Sequence, residues 1–302
     1  MIGPMQRRVL GLALGFLLGC VIAGTIVTPP AAAAPFKIGS KNFAEQLVLG
    51  ELYAQALEAG GIQVERKLNM GGTLIAHQAL VSGEIDMYPE YTGTALAVVL
   101  KAKTLTDPEA VYQKVKQHYE KTLKAAWLKP TRINNTYVIV VRPDTAEQYR
   151  LKTLTDLAKV SKQLVLGAGP EFRSRKDGIP GLKAKYGMDW KEDRSIAIGL
   201  RYPALLGKQV DAIDGYATDG QISRDKLVKL VDDKHLWPPY FVAPVIRVES
   251  LRDHPKAADI LNRISALLDD TVMSEMNWRV DGNKEEPKDV ARDFLTKKGV
   301  LK

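Results

Sequence analysis

Eleven tyrosines against six phenylalanines, several of them at the ends of apolar runs beside Gly, Thr or Pro, are the residues in this chain best placed to do chemistry. Tyr88 and Tyr91 lie in Tyr-Pro-Glu-Tyr-Thr-Gly-Thr, Tyr137 follows Asn134-Asn135-Thr136, Tyr216 sits in Asp-Gly-Tyr-Ala-Thr-Asp-Gly, and Tyr240 ends Trp-Pro-Pro-Tyr. A single loop tyrosine is ordinarily half-buried packing. Four gathered on one cleft would make a box of negative ring faces, which attracts a cation without requiring a hydrogen bond from it. A quaternary ammonium, which has no N–H to offer, is the guest such a box suits, at roughly 0.5–2 kcal/mol per well-placed ring.

The usual signatures of catalysis are missing. No G-x-S-x-G elbow, P-loop, H-E-x-x-H or Cys–His arrangement occurs, and Gly167-x-Gly169 runs into Pro170 instead of completing a dinucleotide fingerprint. One cysteine and four scattered histidines exclude intrachain disulfides and zinc-knuckle spacings. No metal or cofactor is expected. The acidic pairs Asp269-Asp270 and Glu285-Glu286 sit in polar stretches and read as solvated surface. The net charge of +8 is spread along the chain with no Lys/Arg block, so nucleic acid is not an expected partner.

The elements that must position the tyrosines alternate strand and helix, which argues an α/β architecture. Phe36–Gly39 reads as a strand, followed by a helical stripe at Phe43, Leu47, Gly50, Ala54 and Leu57, with Asn42 as N-cap and Glu45 returning a hydrogen bond to it. Tyr137–Val141 and Phe241–Ile246 are fully apolar strands. An internal echo ties two of the tyrosines together. Leu80–Tyr91 and Leu205–Tyr216 each carry a glycine, a short Ile-Asp or Val-Asp strand start, and a tyrosine five residues after that aspartate. Ligands of open α/β sheets bind at strand carboxyl ends, so the two units can present their tyrosines to one cleft from two lobes.

Residues 1–34 read as an export signal. Arg7 and Arg8 precede the charge-free run Val9–Val27, Pro29-Pro30 breaks it, and Ala31–Ala34 offers a small-residue cleavage site. A membrane anchor is the alternative, since 19 residues could just span a bilayer. Leu17-Leu18-Gly19-Cys20 also resembles a lipobox, in which Cys20 would be acylated. Cleavage after Ala34 is the preferred reading, and on every one of these readings the folded part lies outside the cytoplasm.

Six segments in order carry a resemblance. They are Ile38-Gly-Ser-Lys-Asn-Phe-Ala-Glu-Gln46, Asp86-Met-Tyr-Pro-Glu-Tyr-Thr-Gly-Thr94, Asn135-Thr-Tyr137, Phe172 to Leu182 with its Arg-Lys-Asp-Gly, Val210 to Gly220, and Pro238 to Pro244. Together they resemble the substrate-binding proteins of glycine betaine/choline (osmoprotectant) ABC importers. The resemblance covers residues 36–302. It implies a type II periplasmic-binding-protein fold, with two α/β lobes joined by crossover strands near 133–140 and 240–246. Lobe one would then be 36–134 plus 241–302, and lobe two 135–240. It carries the family's aromatic cage onto Tyr91, Tyr137, Tyr216 and Tyr240, and its pocket lining onto Thr94 and Gln46. Arg175 becomes a fork that clamps a ligand carboxylate. It further implies a non-enzymatic, monomeric receptor that passes a quaternary ammonium osmolyte to a permease in the cytoplasmic membrane. Carnitine, an ergothioneine-like betaine or a plain amino acid stay open as the solute, and an exported enzyme or sensor domain on the same fold is the rival from another class.

Overall fold

Two five-stranded sheets of matching design organise the chain, as described by a computed structural model over residues 34–301. The expected signal segment and Cys20 lie outside the described residues. The first sheet has the order β2-β1-β3-β10-β4, built from β1 (Phe36–Gly39), β2 (Val64–Lys67), β3 (Met87–Tyr91), β4 (Ala125–Trp127) and β10 (Val242–Arg247). The second has the order β7-β6-β8-β5-β9, from β5 (Tyr137–Val141), β6 (Val165–Ala168), β7 (Glu192–Ser195), β8 (Ala212–Tyr216) and β9 (Val228–Leu230). In each sheet three parallel strands are followed by one antiparallel strand that belongs, in chain order, with the other half. The echoed segments occupy equivalent places. Tyr91 ends β3 and Tyr216 ends β8, each the central strand of its sheet.

The two passages between the sheets run side by side. Asn134 and Phe241 form an antiparallel bridge, Asn135 N–H donates to the Tyr240 carbonyl at 3.2 Å, and Val242 N–H donates to the Ile133 carbonyl at 3.2 Å. β5 (YVIVV) and β10 (VAPVIR) are buried along almost their whole length, which suits apolar, largely β-branched strands covered on both faces.

Helix α1 (Ala44–Ala59) is buried on nearly every face, rather than along the one stripe its apolar spacing suggests. The C-terminal helices Ala257–Ser265, Asp270–Asp281 and Pro287–Lys297 cover the side away from the sheet. Tyr53 and Ser265 share a hydrogen bond at 3.0 Å, and Gln55 Nε2 donates to the Lys288 carbonyl at 2.9 Å. Leu49, Leu52 and Leu57 are each fully buried, worth about 1.5–3 kcal/mol apiece. The cap expected from Asn42 does not form. Phe43 is the extended N-cap residue and no side chain caps the helix, because Glu45 is committed elsewhere.

The loop between the short helix Pro170–Ser174 and the helix Ile179–Tyr186 carries Arg175 and Asp177, and it closes through a tight backbone approach at Gly178. A Cβ there would lie 1.8 Å from the Phe172 carbonyl oxygen. Because backbone cannot step aside as a side chain can, Gly178→Ala is expected to cost about 3 kcal/mol. At this chain length that is a fall of roughly 6–12 °C in melting temperature. An unchanged melting curve in scanning calorimetry would show that the loop can be rebuilt freely.

Candidate functional site

The carboxyl ends of β3 and β8 face a cavity of about 230 Å³ between the sheets. Six of the seven residues singled out from the sequence line it: Tyr91, Thr94, Tyr137, Arg175, Tyr216 and Tyr240. The rings form a contiguous wall. Tyr137 meets Tyr216 at 5.5 Å between centroids and Tyr240 edge-on at 6.0 Å. Phe43 closes the series, 5.2 Å from Tyr216 and 6.3 Å from Tyr91. Sequence periodicity had placed Phe43 in the α1 stripe. Its position as the extended residue before α1 turns it toward the cavity instead.

Backbone register sets two of these rings against each other, since Tyr137 on β5 pairs with Tyr216 on β8. Tyr240 is seated by Gly93, where a Cβ would come within 2.8 Å of the Tyr240 ring and of the Pro239 carbonyl oxygen. Burial pushes the hydroxyls of all four tyrosines well above the ordinary phenol range, so every ring stays neutral. Two of those hydroxyls are donated to carboxylates. Tyr91 OH donates to Glu45 Oε1 at 2.8 Å, and Tyr240 OH to Asp177 Oδ2 at 2.7 Å.

Gln46 does not line the cavity. It is fully buried on α1, where its Oε1 accepts from Lys41 N–H at 3.1 Å and its Nε2 donates to the Pro89 carbonyl at 3.0 Å. It therefore fixes the strand ends beside the cavity. Arg175 lines the cavity, but not as a free fork. Its Nε and Nη2 donate to Asp177 at 2.8 and 2.6 Å. Burial alone would raise the Asp177 carboxyl, but the guanidinium holds it below the usual carboxylate range. Nη1 makes no hydrogen bond among the described residues and is ion-paired with Glu171 Oε2 at 3.7 Å. The guanidinium carbon lies 5.2 Å from the Tyr137 ring centroid.

Lys41 is a lining residue that the sequence reading did not single out. Its ammonium is paired with Glu90 at 2.6 Å and lies 5.0 Å from the Tyr91 ring centroid. The signal for it lay in the Ser-Lys-Asn-Phe segment, but its partner is 49 residues away. Glu171 was missed as well. From the second sheet's side its carboxylate accepts from Thr73 N–H at 2.8 Å, at the N-terminus of helix α2 (Thr73–Ser82), whose own N-cap residue is Gly72 without a side-chain cap. Among the described residues no cluster of His, Cys, Asp and Glu could hold a metal ion, and no helix is long and apolar enough to cross a membrane.

Residues 34–297 match the family model for the substrate binding domain of the ABC-type glycine betaine transport system. The chain is 36% identical over 290 residues to a glycine-betaine-binding protein of Pseudomonas aeruginosa, covering 92% of this chain and 93% of that one. It is 34% identical over 267 residues to an ergothioneine transport permease/ergothioneine binding protein of Helicobacter pylori, covering 88% of this chain but only 48% of that longer protein. A crystal structure described as a glycine betaine/carnitine/choline ABC transporter superposes with a TM-score of 0.74 at 33% identity, covering 88% of this chain and 99% of the other. The two-lobed α/β fold implied by the resemblance is thus the observed one, and the chain belongs to the family of substrate-binding domains of ABC-type glycine betaine transport systems.

Proposed function

We propose that this chain is the extracytoplasmic receptor of an ABC importer and captures a quaternary ammonium solute of the glycine betaine and choline class in an aromatic cage. On this reading the lobes are 36–134 with 241–302, and 135–240, closing on the solute before docking on a membrane permease. The observation that carries it is the unbroken series of neutral rings, Tyr91, Phe43, Tyr216, Tyr137 and Tyr240, around one cavity. Ring faces attract a methylated ammonium without asking for donors. A cage of carboxylates would instead favour a primary amine. Nothing in the site pairs a nucleophile with a base, so binding without turnover is the expected activity.

A zwitterion suits this cavity better than a bare cation. Arg175 and Lys41 both line it, and a carboxylate reaching the arginine's Nη1 gains a charge-assisted hydrogen bond. Carnitine and ergothioneine carry the same trimethylated nitrogen and carboxylate on larger bodies, so they are the nearest alternatives, and the relatives named for them keep them in view.

Titration calorimetry against glycine betaine, choline, carnitine, ergothioneine and an unmethylated amino acid tests the class. Heat from the amino acid alone would overturn it. Tyr216→Ala is expected to weaken betaine binding more than about tenfold, with apo melting shifted by only a few degrees because this ring is only partly buried. A collapse of the apo fold would make the ring a packing residue. Arg175→Lys keeps a cation beside Asp177 but loses the planar fork. It is expected to lower betaine affinity about tenfold and to leave choline nearly unchanged, whereas equal losses would remove the arginine from carboxylate binding.

A further inference from the structure

Four carboxylates, Glu45, Glu90, Asp177 and Asp219, accept hydrogen bonds from the aromatic wall or the backbone that carries it, and a fifth, Glu171, lines the cavity; four of the five have a protein cation. Glu90 is paired with Lys41 at 2.6 Å, Asp177 with Arg175 at 2.6 Å, Glu171 with Arg175 at 3.7 Å and Asp219 with Arg201 at 3.8 Å. Glu45 is the exception. It is 2% exposed and forms no ion pair among the described residues. Its four hydrogen bonds all come from neutral donors on separate segments. Oε1 accepts from Tyr91 OH at 2.8 Å and Asn135 Nδ2 at 2.9 Å, and Oε2 from Thr218 Oγ1 at 2.5 Å and Asn277 Nδ2 at 3.1 Å.

A buried charge without a partner is expensive and is ordinarily paired or neutralised. Four donors make the anion tolerable, yet they do not cancel its charge, and burial still raises its proton affinity above that of an ordinary glutamate. One of the donors is the phenol of a cage ring. A carboxylate accepting that proton pushes electron density onto the phenol, and the ring face on the cavity side becomes a better seat for a cation.

We propose that Glu45 is the specificity-determining charge of the site: its missing counter-ion is the quaternary ammonium of the bound solute, felt through the Tyr91 ring. This rests on the quaternary ammonium reading above and deepens it. Glu45 acts as a positioning residue that sets the field of the cage, and it does not touch the solute.

The test compares two ligands that differ at one atom. Glycine betaine carries the trimethylammonium, and 3,3-dimethylbutanoate replaces that nitrogen with carbon while keeping the carboxylate. Glu45→Gln retains shape and removes the charge, and Asn277, whose Oδ1 has no partner, can turn its amide to meet the new N–H in exchange for its bond to the Thr218 carbonyl. The expected result by calorimetry is a loss of about tenfold for betaine and an equal or improved affinity for the carbon analogue. Glu45→Gln with Asn277→Asp, which moves the carboxylate to the neighbouring position, is expected to recover most of the preference for betaine. An unchanged preference in Glu45→Gln overturns the proposal, and so does an equal loss for both ligands, which a strut between segments would give. A Glu45→Gln chain that unfolds while the double variant folds assigns the charge to folding, and overturns it too. If the unaltered chain binds neither betaine nor any other trimethylammonium compound, the parent reading fails first, and the two failures are told apart.

Discussion

The pairing of Tyr137 on β5 with Tyr216 on β8 holds two rings of the wall in register across two strands that come from opposite directions in the chain. Side chains alternate faces along a strand, so a slip of one residue in either strand would send its ring to the opposite face and part the pair. The constraint is secured well away from the cavity. β5 is packed between β8 and β9, and its lead-in is bonded to the returning segment at Asn134, Asn135 and Ile133. The same arrangement recurs in the first sheet, where Tyr91 opposes Val242 of β10. Each half therefore borrows an antiparallel strand adjoining the passage to the other half, and the aromatic wall stands where the borrowed strands begin.

Around that wall the structure holds an unusual amount of buried charge. Arg201 and Asp214, each about 2% exposed, meet at 2.7 Å, and Arg201 also lies 4.7 Å from the Tyr216 centroid. Burial pushes the Asp219 carboxyl up to about 6, although the same arginine stands 3.8 Å away. Such groups add little net stability, because desolvation offsets much of their attraction. Their value is in orientation. Arg175 lies 5.2 Å from the Tyr137 centroid, Arg201 4.7 Å from that of Tyr216 and Lys41 5.0 Å from that of Tyr91, so each of these rings packs beside a protein cation.

The parts legible in the sequence were those written in local pattern. Apolar β-branched runs announced β5 and β10, and the paired Gly…Asp…Tyr segments announced equivalent strand ends. What failed depended on which face of an element meets what. Gln46 lies in the same short segment as Lys41 and Phe43, yet a helix covered on all sides gives its polar residues to neighbouring backbone, while the extended residues before it face the cavity. The Asn42–Glu45 spacing fits a cap, but Glu45 is held by Thr218 and Asn277, more than 170 and 230 residues away. No window along the chain contains that information. The fork of Arg175 came from the resemblance alone, which did not say that Asp177, two residues on, takes its Nε and Nη2.

Helix α2 begins at Gly72, which has nothing of its own to offer the first amides, and the carboxylate that serves them comes from Glu171 across the cleft. A helix start left to water forfeits about 1 kcal/mol relative to a well-served one. The N-terminus of α2 is therefore tied to the segment that follows β6, and separating the two would hand the Thr73 amide to water.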